Sequence, residues 1–103
     1  MPIKRRVSDR EREDYMNEAQ AKLDELDRNV KNLKTKARTV TGKAKLELER
    51  QIDEMERKLT EVRHKLKELG SASGEAWKEL KAGMDSALDE LSKAYGRALA
   101  YFQ

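Results

Sequence analysis

Apolar and small residues recur along the first two thirds of the chain at alternating steps of three and four. One run extends from Met16 to Ala44 and a second from Leu48 to Leu69. A mean spacing of 3.5 keeps a narrow apolar stripe on one face of a helix, which is typical of a coiled coil. This stripe, the seam, consists of Met16, Ala19, Leu23, Leu26, Val30, Leu33, Ala37, Val40, Ala44, Leu48, Ile52, Met55, Leu59, Val62, Leu66 and Leu69.

The register of the seam slips by one residue between Ala44 and Leu48, close to Thr41 and Gly42. A continuous helix absorbs such a slip as a local change of winding, and an interior glycine costs only about 1 kcal/mol relative to alanine. Strong helix formers on both sides favour this interpretation, with one helix from about 8 to 69. In the alternative, Gly42 ends a first helix in the left-handed conformation. The chain is then a monomeric up-down three-helix bundle with a turn at Thr41-Gly42.

Signals for helix ends divide the chain further. Residues 1–7 contain Lys4, Arg5 and Arg6 and are expected to form a disordered basic leader before a single helical domain, 8–103. The Ser8-x-x-Glu11 sequence fits a capping box, in which the serine hydroxyl accepts from the glutamate amide. Glycines bracket a turn at 70–74, where Gly70 fits a left-handed helix cap and Ser73 fits the N-cap of the next helix.

The closing helix, about 74–102, has a different rhythm. Residues 78–88 align without gaps on residues 89–99, and this 11-residue period keeps an apolar stripe on a nearly straight helix. The helix should fold back on the C-terminal half of the long helix as an antiparallel hairpin. Its apolar face consists of Trp77, Leu80, Met84, Leu88, Leu91, Tyr95, Leu99 and Phe102.

Composition supports an all-α coiled coil. Charged residues make up 42% of the chain and aromatic residues 5%, which excludes a thick globular core. In the hairpin, the N-terminal half of the seam lies uncovered. Because burial of apolar surface is worth roughly 25 cal/mol per Å², we expect this seam to drive homo-oligomerisation, as a dimer or a higher helical bundle.

Charge is unevenly distributed along the long helix, since no acidic residue occurs between Asp27 and Glu47. We expect the cations of this run to lie on a solvated face or to pair with acidic residues of the closing helix, such as Glu79, Asp85 and Glu90. The alternative is a patch for an anionic membrane or nucleic acid. The cations are Arg28, Lys31, Lys34, Lys36, Arg38, Lys43 and Lys45.

The sequence contains little that could carry chemistry. Glu61 and His64 have the E-x-x-H spacing of helical metal sites, but His64 is the only histidine, and the seam phase places it on the solvent face. The chain has no cysteine and no glycine-rich phosphate loop. We therefore expect no enzyme, no metal, no cofactor and no small-molecule substrate. No apolar run approaches the roughly 18 residues of a membrane span, and the cytoplasm is the expected location.

Three segments, AKLDELDRNVKNLKTKA, ELERQIDEMERKLTEVRHKLKELG and SASGEAWKELKAGMDSALDEL, carry a resemblance that covers about residues 18–95. The chain resembles the small bacterial coiled-coil domain-containing proteins associated with stress responses, and residues 71–88 are the most specific part. The resemblance implies a soluble, helical, non-enzymatic protein without a cofactor. The 11-residue period of the closing helix is also similar to that of apolipoproteins and of desiccation-linked proteins, a likeness that rests on periodicity alone.

These observations predict a structural or interaction protein that acts through coiled-coil homo-oligomerisation, in keeping with a bacterial stress response. An alternative is reversible binding of the amphipathic closing helix to anionic membranes. A weaker alternative is nucleic-acid binding through the basic run at 28–45.

Overall fold

The computed structural model describes residues 9–102, which form three α-helices joined by short connections. Helix α1 spans Asp9–Lys36 and continues into a 3-10 turn, Ala37–Thr39. Helix α2 spans Gly42–Leu69, and helix α3 spans Gly74–Leu99, followed by a second 3-10 turn, Ala100–Phe102. The all-α fold predicted from the sequence is confirmed.

Contacts between side chains show that successive helices are antiparallel. Asp27 of α1 pairs with Arg63 of α2, whereas Lys34, further along α1, pairs with Glu56, which lies earlier in α2. Lys58 and Gln51 of α2 contact Glu90 and Tyr101 in the same reversed order. The described residues therefore form an up-down-up bundle in which α1 and α3 run parallel.

The favoured prediction of one helix from about 8 to 69 is wrong, and the three-helix alternative is the observed fold. Val40 has φ −90° and ψ 139°, and Thr41 has φ −125° and ψ 170°, so both residues are extended. Gly42 follows with φ 71°, a left-handed conformation that is costly for residues with a Cβ. Gly42 therefore reverses the chain direction, although it begins α2 rather than ending α1.

The turn predicted at 70–74 is present, and Ser73 is the extended N-cap residue of α3. Gly70, however, has a right-handed φ of −60°, so its predicted left-handed cap is wrong. The left-handed residue of this turn is Gly74, with φ 56°. The leader at 1–7 and the Ser8 half of the capping box lie outside the described residues.

The expectation of an uncovered seam is also wrong, because the bundle closes the seam within one chain. The sequence predicted that a second molecule would cover Leu23 and Leu33 of α1, but each is only 1% exposed within the single chain. Met16 and Val40 are half-buried and pack at the edge of the core, while Ala44 lies outside it. The buried seam residues are Ala19, Leu23, Leu26, Val30, Leu33, Ala37, Leu48, Ile52, Met55, Leu59, Val62, Leu66 and Leu69.

The predicted apolar face of α3 forms the third wall of this core. Trp77, Met84, Leu88 and Leu91 are buried. The remaining members, Leu80, Tyr95, Leu99 and Phe102, are half-buried and pack against the core. The bundle thus covers most of both apolar stripes.

Two glycine substitutions distinguish the bundle from a continuous helix. We expect Gly42→Ala to lower the free energy of unfolding by about 1 kcal/mol, because alanine is strained at a positive φ. Gly96→Ala is the control, since Gly96 lies inside α3 and an added Cβ meets no atom within 4 Å. This control should raise the free energy of unfolding by up to about 1 kcal/mol, because alanine has a higher helix propensity than glycine. Urea denaturation measures both, and a stabilising Gly42→Ala would indicate the continuous helix.

Candidate functional site: the basic end of the bundle

The connection from α1 to α2 gathers four cations of the predicted basic run at one end of the bundle. Lys36 is the last residue of α1, and Arg38 lies in the 3-10 turn that follows it. Lys43 and Lys45 lie in the first turn of α2. These four residues are called the basic end. Because the helix reversal occurs between the two pairs, residues that a continuous helix would spread along its axis share one end of the bundle.

The predicted pairing between the basic run and acidic residues of the closing helix is not found among the described residues. Glu90 pairs with Lys58, and Asp85 pairs with Lys81. Within residues 9–102, Arg38, Lys43 and Lys45 make no ion pair with an acidic side chain. Lys36, Arg38 and Lys43 are exposed to solvent, and Lys45 is half-buried.

Lys36 has a different neighbour. Its Nζ lies 6.0 Å from the centre of the Phe102 ring, a cation–π contact that brings the end of α3 to the same end of the bundle. This contact leaves the charge of Lys36 unneutralised. The four cations of the basic end thus have no acidic partner among residues 9–102.

The other three cations of the run lie further along α1 and belong to different surroundings. Lys31 pairs with Asp27 at 3.0 Å, and Lys34 pairs with Glu56 at 3.2 Å. Arg28 is exposed, two helical turns before Lys36. The seven-residue anion patch predicted from the sequence is therefore divided, and only its last four residues form the basic end.

The starts of α2 and α3 have the same local design but opposite charge. Thr41-Gly42 and Ser73-Gly74 each place an extended hydroxyl residue before a glycine with positive φ. Glu75 follows Gly74, where an acidic residue suits the positive end of the helix dipole. Lys43 occupies the matching position in α2, whose first turn contains no acid. Positive charge thus accumulates on a helix end that is already positive.

Leu46 gives the basic end an apolar component. Its side chain is 69% exposed, and it is the only large hydrophobic residue so exposed in the described part of the chain. It follows Lys45 directly, within the segment that contains no acidic residue. A single exposed leucine is ordinary on a protein surface, but this one lies beside cations that have no acidic partner in the described part of the chain.

A groove of about 650 Å³ lies between α2 and α3. Met55, Leu91 and Ala94 contribute its apolar lining, and charged side chains of both signs form its rims. His64 is exposed, in agreement with the seam phase. Within the described range, no cluster of three His, Cys, Asp or Glu side chains is arranged to hold a metal ion.

An aromatic cluster fastens α1 to α3 at the opposite end of the bundle. The Tyr15 hydroxyl donates to Asp85 Oδ1 at 2.5 Å, and its ring meets Trp77 edge-on at 5.9 Å between centres. The guanidinium of Arg12 lies 4.6 Å from the centre of the Trp77 ring. Burial raises the pKa of Tyr15, and the bond to Asp85 raises it further. The cluster therefore holds a neutral phenol.

The comparisons with known proteins give no family assignment: no family model, curated protein or solved structure matches the chain. No helix within residues 9–102 is long and apolar enough to cross a membrane.

The sequence indicated the cations of the basic end but not their grouping. The missing information was the position of the turn, because a continuous helix separates Lys36 from Lys45 by the length of nine residues along the helix axis. The shared Thr/Ser-Gly sequence at 41–42 and 73–74 was the available signal. The exposure of Leu46 follows from the register slip, since the core resumes only at Leu48.

Asp27 provides a test of how the charged surface supports the bundle. Hydrogen bonds from Lys31, and then from Arg63, hold the pKa of Asp27 below its ordinary value. The carboxylate therefore stabilises the fold above its unfolded pKa of about 3.9, and this contribution is lost as the pH falls through the lowered folded pKa.

We expect Asp27→Asn to lower the free energy of unfolding by about 0.5–1 kcal/mol at pH 7. Urea titrations at pH 7 and pH 2 should show that the difference from the parent protein disappears in acid. Glu25→Gln is the matched control, because Glu25 is exposed on the same helix and makes no ion pair with a described residue. An effect of Asp27→Asn that persists at pH 2 would contradict the ion-pair explanation.

Proposed function

We propose that this protein is a non-enzymatic interaction protein whose closed bundle binds anionic membrane surfaces reversibly through its basic end. One observation carries the proposal: Lys36, Arg38, Lys43 and Lys45 share one end of the bundle without an acidic partner among the described residues, next to exposed Leu46. Clustered cations beside an apolar side chain are the combination that an anionic lipid interface attracts.

The expected affinity follows from the size of the patch. Each cation near an anionic leaflet contributes about 1 kcal/mol, and burial of the Leu46 side chain adds about 1.5 kcal/mol. The total of roughly 5 kcal/mol corresponds to a dissociation constant on the order of 100 µM. Binding of this strength is reversible and depends on the salt concentration.

The apolar face of α3 is a less suitable membrane contact than the sequence alone indicated. Trp77 is 3% exposed, Met84 0% and Leu91 1%. Insertion of this face into lipid requires α3 to leave the core, which exposes the apolar faces of α1 and α2 to water. The basic end needs no such opening.

Coiled-coil assembly through the seam loses its driving force for the same reason, because the seam is covered within the chain. Homo-oligomerisation by that route requires the bundle to exchange its own helices for those of a second molecule. The bacterial stress response and the cytoplasmic location stay predictions that derive from the resemblance and from the sequence.

Vesicle cosedimentation tests the proposal. We expect the protein to bind phosphatidylserine-containing vesicles at low salt, to release them at 500 mM NaCl, and to ignore phosphatidylcholine vesicles. Lys43→Glu with Lys45→Glu should weaken binding at least about tenfold, because two attractive charges become repulsive. Lys22→Glu with Lys78→Glu is the charge-matched control at exposed positions away from the basic end, and it should bind like the parent.

Trp77 reports which part of the molecule meets the lipid. It lies buried at the opposite end of the bundle from Lys43, so its emission should stay unchanged when the vesicles are bound. A shift in emission on binding would indicate that α3 opens, and would contradict docking of the closed bundle. Salt-sensitive retention of DNA without any vesicle binding would assign the basic end to nucleic acid instead.

Lys43→Glu should also separate stability from binding. An acidic residue in the first turn of a helix is favoured by about 0.3–1 kcal/mol over a cation, so the substitution should raise the free energy of unfolding. It should simultaneously weaken vesicle binding. Lys43 would then favour membrane binding at a cost to the stability of α2. Urea denaturation and cosedimentation give the two readouts. Destabilisation by this substitution would contradict the electrostatic account of the α2 start.

A further inference from the structure

The outer face of α2 carries acidic residues that alternate with arginine or histidine in a strict seven-residue repeat. Glu47, Glu54 and Glu61 are seven residues apart, and so are Arg50, Arg57 and His64. The two series interleave at steps of three and four, so all six residues lie on one face of the helix. This set, the charge ladder, faces away from the core formed by Ile52, Met55, Leu59 and Val62.

The bundle itself uses little of the charge ladder. Arg50 binds Glu47 within α2, with its Nη2 2.6 Å from one carboxylate oxygen. Within the described range, Glu54, Arg57, Glu61 and His64 make no ion pair, because the pairs that join α2 to its neighbours use Glu56, Lys58 and Arg63. The ladder is exposed apart from half-buried Glu47. It is therefore available to a partner.

We propose that the partner is a second copy of this chain, whose α2 lies antiparallel along the charge ladder. In an antiparallel pair, two residues face each other when their numbers have a constant sum. A sum of 111 places Glu47 opposite His64, Arg50 opposite Glu61 and Glu54 opposite Arg57, and two-fold symmetry repeats each pair. No like charges of the ladder face each other in this register.

The complementary register coincides with the full overlap of the two helices. Its symmetry axis passes between residues 55 and 56, which is also the midpoint of Gly42–Leu69. Registers shifted by one seven-residue repeat keep the alternation but lose pairs at both ends. The charge pattern and the length of α2 thus select the same arrangement.

The groove between α2 and α3 supplies room for the partner's long side chains. Glu47, Arg50, Glu54, Arg57 and Glu61 line its α2 rim, and Met55, Leu91 and Ala94 contribute apolar surface. Since exposed charge pairs are individually weak and the apolar contribution is small, this dimer is transient and salt-sensitive. It is independent of the membrane proposal, because no ladder residue belongs to the basic end.

Exchange of charges between two variants tests the pairing. In Arg50→Glu with Arg57→Glu, every arginine pair of the dimer becomes a pair of glutamates. In Glu54→Arg with Glu61→Arg, the same pairs become arginine pairs. Each variant alone should be monomeric in sedimentation equilibrium at low salt, whereas an equimolar mixture should form a heterodimer, because all four of these contacts are again complementary. The mixture should associate at least about tenfold more tightly than either variant with itself.

The control for net charge is Lys22→Glu with Lys78→Glu, which lowers the net charge by the same amount as the acidic ladder variant. Mixed with the basic ladder variant, it should associate more weakly than the acidic ladder variant does. Equal association of both mixtures would show unspecific attraction and would overturn the proposal. Circular dichroism verifies that each variant retains the helical content of the parent.

Disulfide trapping tests the orientation without changes to the arginines, and the natural sequence has no cysteine to interfere. A mixture of Glu47→Cys and His64→Cys should form a mixed disulfide dimer, since these positions face each other in the antiparallel register. Glu47→Cys alone should not cross-link, because its two copies lie about 25 Å apart along the helix axis. Self-linked Glu47→Cys, or a parent chain that stays monomeric at 1 mM in low salt, would overturn the proposal.

Discussion

Closure of the seam within one chain is the constraint on which the rest of this structure depends. A stripe of leucine, valine and alanine must be covered, and α1 and α2 can cover each other only if the chain reverses between them. Two extended residues and one left-handed glycine perform that reversal at 40–42. With the direction reversed, α3 completes the core, and charged side chains predominate among the exposed described residues. Both proposed interactions of this protein are consequently those of charged surfaces.

Most of the architecture could be predicted from the sequence. The exception, the chain reversal at Thr41-Gly42, has a clear physical origin. Seam residues such as Leu33 and Leu59, and the α3 face around Met84, were placed correctly because helical periodicity depends only on local spacing. At Thr41-Gly42, helix propensity alone favours a continuous helix, because one interior glycine costs only about 1 kcal/mol. Burial of the seam of α1 against two neighbouring helices is worth several times as much. Tertiary burial therefore outweighed the local preference for a continuous helix.

The candidate sites show the complementary limit. The cations at 36–45 were evident from the sequence, but their shared location depends on the turn. Their lack of acidic partners among the described residues depends on which helix faces which. The last acidic residue of α3 is Glu90, which pairs with Lys58 and lies twelve residues before Phe102, so α3 brings no acidic side chain to the basic end. The charge ladder of α2 is a purely sequential pattern, yet only the packing shows that it is exposed rather than shared with α1 or α3.

The contact between Tyr15 and Asp85 joins residues 70 positions apart, whereas the two antiparallel helix pairs are closed by connections of only a few residues. Loop-closure entropy rises with the length of chain that a contact encloses, so either hairpin can assemble long before the first helix meets the third. The aromatic cluster at the start of α1 then acts as a clasp that is fastened last during folding and released first during unfolding. Fraying of the bundle should accordingly begin with the detachment of α1 near Tyr15, a local opening that amide hydrogen exchange can detect separately from global unfolding.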